Sequence, residues 1–397
     1  MRVAFLVDES LPEGTRVHAK MIHELALEFQ KQGHSSVVIA PGKPDQETLM
    51  AYTKIDGVAL WRFRSGYIRG VGMIRRLINE WLLSYRLRKA MPGNTELHSF
   101  DLCVSYTPTI FYGPFTKYLK SRGTYIYQVL RDDFPQWLID QGIISRWSPL
   151  SLFLKHYEKL NYKTADCVGV MSRANLLLFQ AKNPSCSNSE VLMNWTSIVR
   201  DESVQPNTEI RIKHNLTEKV IFFYGGNLGH ANDMPNIVRL ARSLSNYGKA
   251  HFLIIGQGDQ YNLICELVRD WGLKNVTILP SVSQDEFKRI LKVIDVGLFS
   301  LSKHHTAHNF PGKILGYMAD GIPILGSTNP NNDLVHVIDE SGAGFIHVNG
   351  EDEALAASAI KLLEDEATRE HCGNQARLLL GKYFSVENAY TKIVSKC

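Results

Sequence analysis

Short apolar runs alternate with longer stretches of helical spacing along almost the whole chain. Such alternation predicts βαβ units and parallel sheets. Residues 2–7 read as the first strand, and Met21, Ile22, Leu25, Ala26 and Phe29 then share one helical face that ends at Gly33. Further strands are expected at 36–40, 101–105, 124–130, 167–171 and 190–193. A hydrophilic stretch without periodicity, 201–218, reads as a linker. The alternation then restarts. Strands are expected near 219–224, 251–255, 275–279, 293–299, 322–325 and 344–347, with helices around 235–246, 260–271, 284–292, 313–319 and 353–364. The tail, 386–394, again has helical spacing. At 397 residues the chain is long for one core. The expected fold class is therefore α/β: two tandem Rossmann-like, doubly wound domains, 1–200 and 201–382. A C-terminal helix within 383–397 would cross back to the first. Open α/β sheets bind ligands beyond the carboxyl ends of their strands, so an interdomain cleft is the expected site.

Composition changes this picture little. The apolar, charged, glycine and proline contents are those of a water-facing globular protein. The net charge of +4 is modest but uneven: residues 1–200 hold 25 Lys and Arg against 17 Asp and Glu, and the remainder 19 against 23. An anionic partner for the first half is implied. The six cysteines, Cys103, Cys167, Cys186, Cys265, Cys372 and Cys397, show no zinc-like spacing and read as reduced cytosolic thiols. The start reads as a strand rather than a signal peptide, and no run approaches the roughly 18 apolar residues of a transmembrane helix.

Two glycine-punctuated junctions carry the candidate chemistry. In the first, the apolar run 220–224 ends on Gly225, Gly226, Asn227, Leu228, Gly229 and His230. Glycines there let the chain turn and let a ligand approach its N–H groups. In the second, Pro311 and Gly312 precede Lys313 in the first turn of a helix. Exposed N–H groups, the positive end of a helix and a lysine together favour a phosphate or pyrophosphate. Both junctions facing one ligand would suit a nucleotide diphosphate.

Taken in order, the motifs resemble those of a GT-B glycosyltransferase of glycosyltransferase family 4, over nearly the whole chain. Gly14-Thr15-Arg16-Val17-His18, the run from Tyr157 to Ser172, Asn194-Trp195, Gly225–Gly229, Ile255-Gly256-Gln257-Gly258, Leu273–Val276 and the stretch from Pro311 to Pro323 carry the resemblance. It implies a retaining, nucleotide-sugar-dependent transferase without metal or other cofactor. Gly225, Gly226, Asn227, Gly229, His230, Gln257, His308, Gly312, Lys313 and Asp320 would meet the donor. Gly14, Thr15, Arg16, His18 and Arg131 would meet the acceptor. Its catalytic groups would be Lys313, which steadies the leaving group, and Asp132 or Asp133. The chain also departs from the family. Two glutamates eight residues apart are expected around the donor helix, and their places fall near His308 and at Gly316. Asp320, one turn on, is the candidate substitute for holding ribose. His230 stands where a basic residue is common.

Three weaker signals each have a plainer reading. Arg131-Asp132-Asp133 before Pro135 also fits a helix start with acidic caps. His304, His305 and His308 look like metal ligands, but a loop lining the donor sugar fits better, since no cysteine or carboxylate is near. Residues 62–89 hold Arg62, Arg64, Arg69, Arg75, Arg76, Arg86, Arg88 and Lys89 against only Glu80. Val71, Ile74, Leu77, Ile78, Trp81, Leu82 and Tyr85 recur there at helical spacing. A basic amphipathic helix suits an anionic membrane surface, although a core helix with solvated arginines has the same pattern. The resemblance to bacterial capsule and O-antigen transferases adds a polyprenyl-diphosphate-linked saccharide as acceptor. It implies a peripheral place at the inner, cytoplasmic face of the cell membrane and no nucleic-acid partner. The rival expectations are a non-hydrolysing UDP-sugar epimerase and a catalytically silent scaffold subunit. A nicotinamide dehydrogenase fits poorly, since the first strand lacks the G-x-G-x-x-G fingerprint.

Overall fold

Two largely parallel sheets carry the chain. The computed structural model describes residues 1–14, 17–91, 99–132, 134–140, 142–198, 204–304 and 310–397. Contacts divide it into two units, Met1–Thr196 with Val386–Cys397, and Ser197–Ser385. The divisions fall a few residues from the 200/201 and 382/383 boundaries set from the sequence.

The first unit is built on β1 (Arg2–Leu6), β2 (Ser35–Pro41), β3 (Met50–Ile55), β4 (Val58–Phe63), β5 (Leu102–Tyr106), β6 (Tyr125–Leu130), β7 (Cys167–Val170) and β8 (Ser189–Val191). Their order is β3-β4-β2-β1-β5-β6-β7-β8. β1 lies in the middle, and Val3, Ala4, Phe5 and Leu6 are fully buried on both faces. A parallel strand covered on both sides needs such an unbroken apolar run. The helix Val17–Lys31 covers one face with the same Met21, Ile22, Leu25, Ala26 and Phe29 stripe read from the sequence. The tail helix Val386–Val394 belongs to this unit. Its Val386, Ala389 and Ile393 enter the same core, and the Tyr390 hydroxyl lies 2.9 Å from His34 Nε2.

Three expectations are corrected here. β3 and β4 form an antiparallel hairpin that periodicity alone passed over. Asp56 and Gly57 form its two-residue turn at φ of 49° and 85°, the left-handed pair that a mirror-image hairpin turn needs. The proposed linker is partly structured: Glu209–Lys213 is helical, and Arg211 donates to Asp295 at 2.6 Å and to the carbonyls of Val293, Leu216 and Lys219. The basic segment is not one helix. It runs from β4 into two short helices, Met73–Trp81 and Leu83–Ala90, broken at Leu82.

The second unit is built on β9 (Val220–Asn227), β10 (Ala250–Gln257), β11 (Val276–Leu279), β12 (Val296–Ser300), β13 (Ile324–Thr328) and β14 (Gly344–Val348), in the order β11-β10-β9-β12-β13-β14. All the pairs are parallel. The reversal of strand order beside β9 makes its carboxyl end a topological switch point, where such sheets bind ligands. No helix of the described residues is long and apolar enough to cross a membrane.

Candidate functional site

The helix Lys313–Asp320 starts beside the end of β9, and the packing fixes why. Tyr317 is fully buried, and its hydroxyl donates to the carbonyls of Leu298 at 3.1 Å and Phe223 at 3.3 Å. Gly297 makes the approach possible, since a Cβ there would stand 2.5 Å from the Tyr317 ring. The helix is thereby held against β9 and β12. Its first residue, Lys313, lies alongside Gly226: a Cβ on that glycine would come within 3.8 Å of Lys313 Cε. Gly226 is exposed at φ 125°, a conformation that other residues rarely adopt.

The Lys313 ammonium sits 3.4 Å from the centroid of the Tyr224 ring. The residue as a whole keeps part of its surface exposed, but the ammonium is far enough from water that burial alone lowers its pKa to about 7. No carboxylate among the described residues pairs with it. Tyr224 donates its hydroxyl to the Asn227 carbonyl at 2.9 Å, which ties the same ring to the end of β9.

Other expected donor residues are placed differently. Gly225 is not an open loop residue. It pairs with Ile255 inside the sheet, and a Cβ there would strike Phe287 at 2.3 Å, so packing requires the glycine. Gly226 and Asn227 continue the strand, opposite Gly256 and Gln257. Gly229 is buried beside Asn227 and Asp259. His230 is exposed, accepts from Gln260 at Nδ1 over 3.2 Å, and faces Asp259 at 3.4 Å through Nε2. Gln257 is exposed and accepts from Ser281 at 3.1 Å. Gly312 is the residue before the helix and carries no side-chain cap. Asp320 lies at the far end of the helix, where Lys292 holds its carboxylate at 2.5 Å and Arg377 binds its carbonyl. Its carboxylate is thus already paired to a lysine. At Gly316 an added Cβ would meet only Leu291, at 3.3 Å. His308 lies outside the described residues. Among those described, no group of three or more His, Cys, Asp or Glu is placed to hold a metal ion.

Residues 206–379 match the family model described as glycosyl transferases group 1. That match lies within the second unit. The chain is 24% identical over 221 residues to a probable glycosyltransferase, WbjE, of Pseudomonas aeruginosa; the match covers 55% of this chain and 54% of that protein. It thus spans about half the length of that relative. Among solved structures, Alr3699/HepE of Anabaena in complex with UDP and glucose superposes with a TM-score of 0.66 at 14% identity, over 100% of this chain and 98% of that one. WaaG, a glycosyltransferase involved in lipopolysaccharide biosynthesis, superposes at 0.63 and 15%, over 98% and 99%. These structural likenesses establish the fold: two Rossmann-like α/β domains, as in GT-B glycosyltransferases.

The strand ends of the first unit gather a second set of charges. His18, on the helix Val17–Lys31, stacks on Tyr106 at the end of β5, with centroids 5.4 Å apart. Its Nε2 lies 3.1 Å from Asp8 Oδ1, an ion-pair distance without the alignment of a hydrogen bond. Arg69 takes the other Asp8 oxygen at 2.6 Å and Glu9 at 3.1 Å. Gly14 is buried over Ser10, to whose carbonyl its N–H donates. Arg131, expected to meet an acceptor, is buried instead. It donates to the carbonyls of Leu192 at 2.6 Å and Met193 at 3.1 Å and lies over the Trp195 ring, and burial lowers its pKa. Its task is to fasten β6 to the segment after β8. Asp132 is exposed just beyond β6, while Thr15, Arg16 and Asp133 lie outside the described residues. Sequence reading overlooked Tyr224, Asp8 and Asp259. Tyr224 lies in the apolar run 220–224 and passed as one more strand residue, and Asp8 lies just past the expected first strand, 2–7.

Proposed function

We propose that the chain as a whole is a retaining glycosyltransferase. It would move a hexosamine or deoxyhexosamine from a UDP-sugar to a polyprenyl-diphosphate-linked saccharide in bacterial surface-polysaccharide assembly. The observation that carries the proposal is Lys313 beside Gly226 at the β9 switch point of a group 1 glycosyl transferase domain. The leaving group of such a transfer is a nucleoside diphosphate, and the transition state is oxocarbenium-like. A lysine and backbone N–H groups aimed at the diphosphate stabilise the charge that builds there. Retention needs no dedicated protein nucleophile if the leaving phosphate helps to deprotonate the acceptor hydroxyl. No metal is needed either. The complex of HepE with UDP supports the choice of nucleotide, and WaaG's part in lipopolysaccharide synthesis supports the class of product.

The first unit would receive the acceptor and lie on the inner membrane face. Met73, Ile74, Ile78, Trp81 and Tyr85 are exposed along its two short helices, and Arg75 and Lys89 are exposed among them. Trp81 is 45% exposed while its indole donates to Tyr157 at 2.6 Å, so its ring faces outward on a fixed mount. The apolar stripe of the amphipathic reading is thus split over two helices, and of its arginines Arg69 and Arg76 are paired to carboxylates.

The test is a thermal-shift series with UDP, GDP, ADP and UDP-sugars in excess EDTA. UDP and UDP-sugars should raise the melting temperature by mass action, and EDTA should not abolish the effect. Equal response to every nucleotide, or none, would refute the donor assignment. Gly316 without a carboxylate and Asp320 tied to Lys292 favour one second reading, a silent scaffold. UDP binding without any turnover of a UDP-sugar on lipid-linked acceptors would establish that instead.

A further inference from the structure

We infer that Tyr224 is the positioning residue of the donor site: its ring holds the Lys313 ammonium beside Gly226, where it meets the diphosphate of a bound nucleotide. The inference rests on the nucleotide-sugar reading above. A lysine in the first turn of a helix has four rotatable bonds and, in water, no single place for its charge. Here the ammonium is fixed 3.4 Å from the centroid of a ring that is itself fully buried. The negative face of an aromatic ring attracts a cation, and most strongly out of water. The ring lies on one side of the ammonium, so N–H groups remain to point at phosphate oxygens. The same side chain donates its hydroxyl to the Asn227 carbonyl, at the end of the strand that carries Gly226. One tyrosine therefore touches both halves of the diphosphate cradle, the glycine segment and the lysine. A core-filling role would require only volume, and a leucine or methionine would serve it.

The test compares wild type, Tyr224→Phe and Tyr224→Leu by calorimetric titration with UDP and with UMP. Phenylalanine keeps the ring face and loses only the hydroxyl. It should hold UDP affinity within about twofold. Leucine removes the ring face and should weaken UDP about tenfold while leaving UMP within about twofold. On a Lys313→Ala background, Tyr224→Leu should then cost nothing further. A distorted sheet would weaken UMP and UDP alike, so equal losses would overturn the inference, as would equal losses in the Phe and Leu variants or no loss in either. A ligand-free arm examines the contact itself. With 13C at the lysine ε carbons, one resonance should be shifted upfield by the ring, vanish in Lys313→Ala and Tyr224→Leu, and persist in Tyr224→Phe. Its absence from wild type would overturn the inference whatever the protein binds. If that resonance is present and wild type still fails to bind UDP, the nucleotide reading fails and the positioning role fails with it, while the contact stands.

Discussion

The strand ends of the two units handle charge in opposite ways. In the second unit a lysine is left without a carboxylate among the described residues and is set over an aromatic ring. In the first, Asp8, Glu9, His18 and Arg69 answer one another within 3.1 Å. An unpaired desolvated cation costs stability and is retained where a ligand supplies the missing charge. A closed set of pairs stabilises the fold and offers little net charge to a ligand. The Lys313 end is thus poised for an anion. The strand ends of the first unit offer no such unpaired charge.

The strongest way to break the contrast is Lys313→Ala. If Lys313 stabilises the leaving diphosphate, turnover with a UDP-sugar should fall by about 10² or more. Rates near wild type, with folding intact, would remove Lys313 from the site. The same lysine should be a burden in the free protein. Its folded pKa of about 7 lies below the ordinary 10.5, so between those values the unfolded chain binds more protons and stability rises with pH. Below about pH 7 the buried charge is at its most costly. Lys313→Met should therefore raise the melting temperature at pH 6.5 by a few degrees even as it abolishes turnover, which differential scanning calorimetry can check.

On the other side of the contrast, Asp8→Asn removes the carboxylate shared by His18 and Arg69. Breaking a buried pair is worth about 3–5 kcal/mol, and less here because Arg69 is 31% exposed and keeps Glu9. A loss of about 2 kcal/mol in denaturant unfolding is expected, with UDP affinity unchanged. A fall in UDP affinity without loss of stability would mean that the two sets of charges are not separate in function.

Proton uptake sharpens the contrast further. A diphosphate favours the charged lysine, so binding above pH 7 should take up a proton. UDP affinity should fall as pH rises above about 7, by no more than about tenfold per unit, the limit for one proton. Calorimetry in buffers of different ionisation heat would show the uptake directly. Tyr224→Leu, by letting water reach the amine, should move the fall to higher pH. A flat profile between pH 7 and 9 would mean that Lys313 stays charged without ligand.

What was legible in the sequence follows from how local each signal is. The alternation of strands and helices, the helical tail and the Lys313 helix start all rest on short-range signals, and the structure has these elements. The hairpin at Asp56-Gly57 had its turn signal in plain view, but Tyr52, Thr53 and Lys54 are solvent-exposed in β3, so no apolar run announced it. The charges were misread because pairing is a tertiary property. Arg69 finds Asp8 across 61 residues and Arg62 finds Glu13 across 49, and no local pattern marks either. The pairing of Asp320 was hidden for the same reason, since Lys292 lies on another helix cap. Tyr224 was visible only as an apolar strand residue, because its contact with Lys313 spans 89 positions of chain.

The smallest expected effect tests whether the basic excess of the first half acts on a membrane at all. Arg69 and Arg76 are paired to Asp8, Glu9 and Glu80, so replacing them would disturb the fold before it disturbed a lipid surface. Arg75 is exposed, has no paired carboxylate among the described residues, and lies between Ile74 and Ile78, which are 77% and 48% exposed. One arginine near an anionic surface is worth about 1 kcal/mol, or roughly fivefold in partitioning, and the gain is screened by salt. Arg75→Glu should therefore lower binding to anionic vesicles roughly 25-fold at low salt, since one attraction becomes one repulsion, and far less at 0.5 M salt. Melting temperature and UDP affinity should not move, because the side chain touches neither core nor donor site. Ile74→Ser should weaken vesicle binding at both salt concentrations, since an apolar contribution is not screened. If Arg75→Glu matters and Ile74→Ser does not, the surface is electrostatic only and the exposed stripe has another partner. If neither matters, the first unit does not meet lipid through these helices, and its acceptor must be brought to it in some other way.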